Sequence, residues 1–314
     1  TVPTSKEMAL GIYYLTTIDP KLKLYDHILD IDEALLAYNE KRIELRQPIK
    51  VYYQGKVLET TVGRIIFNRI MPASISFVNE DVDSKVLKAL FSRIFEKEET
   101  KVVVETIDKV KDLGFWGGTI SGLSFSIADN LIYPHKDRII KAAEKRVLEV
   151  EENFNRGLIT AKEKERLVQQ IWIDTTEELA NKTWELFDRS SAVRLIIDAK
   201  VGRASRDQVK QLSAMRGLSV NPLGKIVPLP TKSNFREGLA VFEYVTSARG
   251  SRKGLTDTAL KTADAGYLTR RLHDVAQDVV ISEQDCGTIR GVDMTALKDG
   301  EEIKEPLSER ILGR

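Results

Sequence analysis

Cysteine is nearly absent: Cys286 is the only one in 314 residues, so no internal disulfide framework exists and a reducing, cytoplasmic setting fits best. Aromatics are sparse at 7%. No apolar run reaches 18 residues, which leaves no candidate for a membrane-spanning helix. The first residues, Thr1 to Lys6, lack the basic start and apolar run of a signal peptide. Internal repeats and low-complexity segments are missing too. The chain opens on Thr1-Val2-Pro3-Thr4 with no initiator Met and stops at Gly313-Arg314 without a polar tail, so the expectation is a piece of a longer protein. The net charge of +1 excludes little by itself. Its distribution says more: residues 191–230 carry seven basic side chains against two acidic ones. Contact with polyphosphate or nucleic acid explains that excess, and so does a solvated basic face.

What is present is ordinary for a folded protein, with 42% hydrophobic and 30% charged residues and enough length for more than one domain. Residues 5–16 and 31–40 read as short helices. Ile49, Val51 and Tyr53 alternate with polar residues, Gln54-Gly55 supplies a turn and Val57 resumes, which is a β-hairpin pattern. Helices are expected over 62–70, ending at Met71-Pro72, over 84–97 with Asp83 or Ser84 as cap, and over 100–113, stopping at Gly114. Gly117-Gly118 and Gly122 read as a loop. From Pro134 a polar–apolar pattern runs to about Asn155. After Arg156-Gly157-Leu158-Ile159, Thr160 with Glu163 forms a capping box for a second helix reaching about Asp188. Two long helices joined by a tight turn make an antiparallel hairpin. It either projects into solvent or packs as a unit with Trp172 and Trp184 as core anchors. Residues 199–230 are broken repeatedly by Gly202, Gly217, Gly224, Pro222, Pro228 and Pro230, with a short helix expected over 206–214.

Residues 235–280 show helical recurrence: Leu255, Ala259, Ala263 and Tyr267 at i+4, then Leu268, Leu272, Val275, Ala276 and Val279. A continuous helix there measures about 70 Å at 1.5 Å per residue. It would contain Gly238, Gly250, Gly254 and Gly266, each costing about 1 kcal/mol relative to Ala. Either the backbone needs close approach to something large, or the helix needs to bend. Thr262-Ala263-Asp264-Ala265-Gly266 presents small side chains to which a base pair can come close, and Tyr267, Arg270 and Arg271 follow, able to stack and to grip phosphates. A helix buried among close neighbours, with the two arginines in ion pairs, accounts for the same spacing. The fold class expected is mainly α with a small β-hairpin element (α+β), in several segments and elongated, with a long helical hairpin and one very long central helix.

Several segments carry a family likeness. Asn234-Phe235-Arg236-Glu237-Gly238-Leu239 resembles the opening of the bridge helix of multisubunit RNA polymerases. Arg252-Lys253-Gly254-Leu255-Thr256-Asp257-Thr258-Ala259-Leu260-Lys261 and Thr262 through Leu272 resemble its centre and C-terminal half. Val275-Ala276-Gln277-Asp278 and Asp285-Cys286-Gly287-Thr288 continue the match in order. Pro3-Thr4-Ser5-Lys6-Glu7-Met8 with Gly11-Ile12-Tyr13-Tyr14-Leu15-Thr16, Thr60-Thr61-Val62-Gly63-Arg64, Ile66-Phe67-Asn68, Gly122-Leu123-Ser124-Phe125-Ser126-Ile127 and Gln211-Leu212-Ser213-Ala214-Met215-Arg216-Gly217-Leu218 are similar to blocks of the bacterial beta-prime family in the same order. The resemblance covers essentially the whole chain.

The resemblance implies a layout: a pore or funnel region over 1–133, a rim-helix hairpin over 134–190, the F-loop region over 191–232, the bridge helix over 233–281 and the start of a zinc-site region over 282–314. It implies that Arg203 reaches the triphosphate of the incoming nucleotide, a role suited to a guanidinium's bidentate match to phosphate. Thr262, Ala263 and Gly266 would sit at the active centre beside the templating base, and Tyr267, Arg270 and Arg271 on template DNA. Cys286 would be one of four zinc thiolates, the other three lying outside this chain. The catalytic Mg2+ is held in this family by an Asn-Ala-Asp-Phe-Asp-Gly-Asp motif that this sequence lacks, so nucleotidyl transfer would need the rest of the enzyme. Implied partners are the beta, alpha, omega and sigma subunits, template DNA, RNA, NTPs and secondary-channel regulators, in a nucleoid-associated cytoplasmic complex with no membrane contact. Two readings compete with that catalytic scaffold. One is a non-catalytic docking module for transcription factors working through the hairpin; the other is a stand-alone single-strand-binding helical protein. Departures from the family pattern are Val201-Gly202-Arg203-Ala204 where Gly-Ala-Arg-Gly is usual, Ala265 where serine or a similar small polar residue is common, and His273 where valine is common. His273 reads as a half-exposed helix residue.

Overall fold

The computed structural model describes residues 6–221, 223–283, 285–299 and 302–312; Pro3-Thr4-Ser5 and Pro222 lie outside them. The chain forms two compact units, residues 1–253 and 254–314, with the division inside one long helix. The structure is mainly helical with two small sheets. Among the described residues no helix is long and apolar enough to cross a membrane.

The first unit opens with α1 (Glu7–Thr16), β1 (Tyr25–Leu29), α2 (Ile31–Asn39), β2 (Pro48–Tyr53), β3 (Lys56–Thr61) and α3 (Val62–Arg69). The hairpin read from the alternation is β2–β3. Its two-residue loop has φ +48° at Gln54 and +83° at Gly55, the doubly left-handed turn whose twist matches paired strands. Ile49 and Val51 point into the core, and both are almost fully buried. Strand β1 is unforeseen. It pairs parallel to β2, and α2 provides the crossover. Its burial does not alternate, so it left no period-2 signature.

Helix α4 (Ser84–Lys97) starts at Asp83, whose carboxylate accepts from the backbone N–H groups of Lys85 and Val86. Helix α5 is a correction. It does not stop at Gly114 but runs Thr100–Ser121, through Gly114, Gly117 and Gly118, and the loop begins only at Gly122, at φ +52°. The glycines are a contact surface for α1. A Cβ on Gly11 would lie 1.9 Å from the Gly114 carbonyl oxygen, one on Gly114 2.5 Å from that of Met8, and one on Gly117 2.7 Å from that of Gly11. Backbone meets backbone here, and the packing gained offsets the intrinsic helix cost of glycine. Ile12, Leu15, Phe67, Leu87, Ile94, Val103 and Val110 fill the core around this junction.

Arg64 ties the same region together from inside. Its guanidinium donates to the Thr16 carbonyl (2.7 Å), to the carbonyl and side-chain oxygens of Asn79 (both 3.1 Å) and to Asp81 (2.7 Å). A buried charge is tolerated because its donors are occupied.

The helical hairpin is α6 (Lys136–Asn155) and α7 (Ala161–Leu186), with Gly157 in the left-handed region at the turn. Thr160 caps α7 by accepting from Glu163 N–H, but the reciprocal half of the expected box is not made: the Glu163 carboxylate pairs with Arg166 instead. The base of the hairpin packs, as the second alternative held. Trp172 is buried with Ile140, Ala143, Val168, Leu179 and Met215, and Trp184 with Phe187, Val193 and Val209. Beyond α8 (Ala192–Asp198), the helix expected over 206–214 is α9 (Arg206–Val209) followed by a π-helical turn, Lys210–Ala214. Its wide turn leaves carbonyls open.

Those carbonyls are taken by residues 234–236. Phe235 N–H donates to the Gln211 carbonyl (3.1 Å), Arg236 N–H to that of Leu212 (3.2 Å), and the Asn234 side-chain amide to those of Ser213 (2.9 Å) and Ala214 (3.4 Å). Asn234 is fully buried, and its oxygen accepts from Glu237 N–H. Lys136 pairs with Glu237, Lys232 with Glu144 (2.6 Å), and the Arg236 guanidinium donates to the Asn130 carbonyl, joining this knot to the hairpin base. The long helix α10 then runs Val241–Ala276, 36 residues or about 54 Å, shorter than the expected 235–280. Gly238 precedes it at φ +87°, so that glycine makes the turn into the helix and is not an interior residue. Glu243 in the first turn accepts from the N–H groups of Ala240 (3.1 Å), Lys232 (2.8 Å) and Ser233 (3.4 Å).

In the second unit, α10 is followed by a β4 (Leu297–Asp299)–β5 (Glu302–Glu305) pair and the short helix α11 (Leu307–Arg310).

Two outcomes are expected. Gly114→Ala forces α1 from α5 and lowers stability by about 1–3 kcal/mol in a denaturant melt, whereas Gly55→Ala, with nothing within 4 Å, strains only its turn. For Glu243, burial pushes its pKa up, but the Ser233 side chain and the three backbone N–H groups outweigh that and hold it below the usual glutamate value. A depressed folded pKa stabilises above the unfolded value and ceases to do so as pH falls through the folded one. Glu243→Gln therefore costs about 1 kcal/mol at neutral pH, on the scale of a lost helix cap, and the gap between the two urea midpoints closes on acidification below that range.

Candidate nucleic-acid interface

From Thr258 to Glu283 every described residue is exposed. Helical geometry, at about 100° per residue, sets Ala259, Thr262, Ala263, Gly266 and Arg270 within an arc of roughly 100°. Tyr267 and Arg271 lie together beyond one edge of that arc. The strip is small and flat for a physical reason beyond side-chain size. Thr258, Thr262 and Thr269 turn their hydroxyls back onto the carbonyls of Gly254 (2.8 Å), Thr258 (2.7 Å) and Ala265 (2.8 Å). Each hydroxyl is thus folded along the helix surface. Nothing lies within 4 Å of where a Cβ on Gly254 or Gly266 would be, so these two glycines are not explained by an intramolecular neighbour. Gly250 differs: a Cβ there would stand 3.1 Å from the Val220 carbonyl oxygen.

The two arginines are differently employed. Arg271 lies over the Tyr267 ring, 4.6 Å from its centroid, a stack that leaves the guanidinium edge outward. Arg270 reaches Asp274 at 3.8 Å, a loose and exposed pair that contributes little to stability. A strip of small residues ending at Arg270, with the stacked Tyr267–Arg271 pair beside it, suits a nucleic-acid backbone with its bases: arginine meets phosphate and small residues admit a flat surface. His273 is exposed on the helix.

Arg203 belongs to the first unit. It is exposed in the turn after α8, where Lys200 (φ +52°) and Gly202 (φ +68°) both adopt left-handed backbone. One side of the turn is pinned: Lys200 pairs with Asp83 at 2.5 Å, and Ser84 N–H donates to the Ala199 carbonyl. Burial raises the Asp83 pKa, but the Lys200 hydrogen bond and charge, with the N–H groups of Val86 and Lys85, hold it below the usual aspartate range. The ion pair therefore keeps its charge and steadies the base of Arg203.

Cys286 is exposed, and among the described residues no group of three or more His, Cys, Asp or Glu side chains forms a metal site. Among the described residues no four ligands are gathered for a tetrahedral zinc, and no carboxylate cluster is gathered for a catalytic magnesium. The structure brings together Thr262, Ala263, Gly266, Tyr267, Arg270 and Arg271 on one helix. Cys286 lies beyond its end and Arg203 in the other unit. The anchoring set Asn234, Glu237, Glu243 and Lys136 was not singled out by sequence reasoning, because several of its partners lie far along the chain; Asn234 and Glu237 drew notice only through the motif that contains them.

The chain matches the family model described as RNA polymerase Rpb1, domain 3, over residues 3–130, and RNA polymerase Rpb1, domain 5, over residues 238–311. Among curated proteins it is 43% identical over 318 aligned residues to the DNA-directed RNA polymerase subunit beta' of Pelotomaculum thermopropionicum, covering 100% of this chain and 27% of that protein. The same subunit of Desulforudis audaxviator is 44% identical (100% and 27%), and that of Treponema pallidum 40% identical (99% and 22%). The chain thus spans about a quarter of the length of the curated relatives it matches. Two Rpb1 domains in order, with relatives aligned over the whole chain at 40–44% identity, show that this chain belongs to the beta' family of DNA-directed RNA polymerases.

Proposed function

We propose that this chain is the part of a polymerase beta' subunit that admits the nucleotide and positions the template during DNA-directed RNA synthesis. The observation that carries the reading is the exposed strip of α10, with two glycines that no intramolecular neighbour requires, in a chain of this family. A bare helix surface of that composition is unfavourable in isolation and is explained by a ligand that covers it. In this reading Thr262, Ala263 and Gly266 lie beside the templating base, and Tyr267, Arg270 and Arg271 hold the template strand. Arg203 grips the incoming triphosphate with its charge-assisted fork. Residues 134–190 are the rim helices, 191–232 the F-loop region and 233–281 the bridge helix. Metal chemistry enters from aspartates elsewhere in the enzyme, and Cys286 contributes one thiolate to a zinc completed by other residues. Beta, alpha, omega and sigma subunits, DNA, RNA, NTPs and secondary-channel regulators are the partners.

Gly254 and Gly266 serve as points of bending. The Gly254 carbonyl accepts from the Thr258 hydroxyl, and such back-bonding weakens and bends a helix locally. A second role fits the hairpin: Leu158 at its tip is 69% exposed and Leu148 along it 57%, apolar surface available to a docking protein.

The test is made in the assembled polymerase. Arg203→Ala raises the KM for NTPs about tenfold or more, the loss expected for a charge-assisted contact, with Arg203→Lys recovering part of it. Thr262→Val, which keeps the shape and removes the back-bond, slows nucleotide addition, whereas Thr269→Val does so far less. Gly254→Ala with Gly266→Ala strengthens the helix by about 1 kcal/mol per site and alters elongation or pausing; unchanged elongation kinetics removes the hinge. Normal NTP dependence in Arg203→Ala removes the nucleotide role.

A further inference from the structure

A cleft in the first unit, apart from Arg203 and from the α10 strip, gathers four arginines. It has a volume of about 430 Å3 and lies between the end of α1, the residues before β2, and α8 with the turn that precedes it. Arg46 and Arg64 stand on one side, each only 6% exposed, and Arg189 and Arg194 on the other. Three carboxylates accompany them. Arg64 holds Asp81 at 2.7 Å, Arg194 meets Asp198 at 3.3 Å, and Arg46 approaches Asp19 at 3.7 Å. Arg189 is the excess charge: it is exposed at the rim, and no carboxylate pairs with it among the described residues.

Donor groups remain after these pairs are formed. Arg64 is engaged by the fold at Nε, Nη1 and Nη2 alike. Arg46 spends Nε on the Thr17 carbonyl (3.4 Å) and Nη1 on Asp19. Arg194 spends Nε on Asp198 and Nη1 on the Phe187 carbonyl (2.7 Å). Each guanidinium has five N–H groups, so both keep an Nη2 edge. Tyr13, a residue 8% exposed, lines the same cleft. Burial first, and the Asp198, Asp81 and Asp83 carboxylates second, raise its pKa, so it stays protonated and remains a donor. A purely structural network explains Arg64. It does not explain why a fourth arginine with no carboxylate of its own opens onto the same space as two half-engaged ones.

We infer that this cleft binds a phosphate-bearing anion, held by Arg46, Arg189 and Arg194 with the Tyr13 hydroxyl, at a site separate from Arg203 and from the α10 strip. The volume exceeds that of a single phosphate, and planar guanidiniums match phosphoryl oxygens by paired hydrogen bonds, which favours a diphosphate over a monoanion.

The probe is inorganic pyrophosphate, titrated calorimetrically into the 314-residue chain at matched ionic strength beside phosphate and sulfate. Saturable one-site binding, tighter for pyrophosphate than for the other two, is expected. Arg189→Glu weakens it at least about tenfold, the loss of a charge-assisted contact, and Tyr13→Phe by about threefold, that of one neutral hydrogen bond. Both variants keep the parent's circular dichroism and melting midpoint, and Arg189→Gln gives an intermediate loss. Lys225→Glu, an exposed basic residue outside the cleft, leaves binding unchanged. Absence of saturable binding overturns the proposal. So does equal weakening by Lys225→Glu and Arg189→Glu, which marks a diffuse basic surface, or binding that survives Arg189→Glu. None of these outcomes depends on the role proposed for Arg203 or α10.

Discussion

The buried amide of Asn234 is the junction on which the rest of this architecture depends. A π-helical turn ends with carbonyls that cannot all be met from within, and unmet buried carbonyls are costly. Asn234, Phe235 and Arg236 supply the missing donors, so the loop that follows the helical hairpin and the entry to the long helix complete one another. Ion pairs from Lys136 and Lys232 bind the same knot to the hairpin base, and Glu243 closes the first turn of α10. Cut the knot, and three elements lose their relative placement within the first unit.

That arrangement fixes the root of α10 and leaves its surface bare. Ser247 is its only buried residue among those described, and the side chains beyond Thr258 face outward. Helices of this length in globular proteins usually bury an apolar stripe, from which most of their stability derives. Here Leu255, Leu260, Leu268 and Leu272 are exposed together with the glycines. Threonine hydroxyls turned onto the backbone and open glycines make the surface smooth but the rod soft. Smoothness suits a flat ligand, and softness suits movement. The same two properties that make the helix poor as a structural element are the ones the proposed role requires.

Glycine has two opposite uses in this chain. In Gly11, Gly114 and Gly117 the missing side chain admits another backbone, and substitution meets carbonyl oxygen. In Gly254 and Gly266 the missing side chain faces open space. A sequence displays both as the same letter. The expectation of a helix end at Gly114 failed for that reason: intrinsic propensity argued for a stop, and the contact with α1 overrode it. The expectation that Gly238 sits inside the long helix failed conversely, because its left-handed backbone belongs to the turn before it.

Local chemistry was legible in the residues alone. Period-2 alternation with Gln54-Gly55 marked the hairpin, Asp83 and Thr160 marked helix starts, and the i+4 recurrence from Leu255 marked the long helix, since each signal is carried by neighbours within a few positions. The order of motifs pointed to the polymerase family for the same reason: it is a property of the string. Only the tertiary structure decided what depends on partners far apart in sequence. Strand β1 exists because β2 lies beside it, and Trp172 is buried because Met215 comes to meet it. The cleft of Arg46, Arg64, Arg189 and Arg194 draws on three separate stretches of chain, and no spacing rule places charges that folding alone brings to one opening.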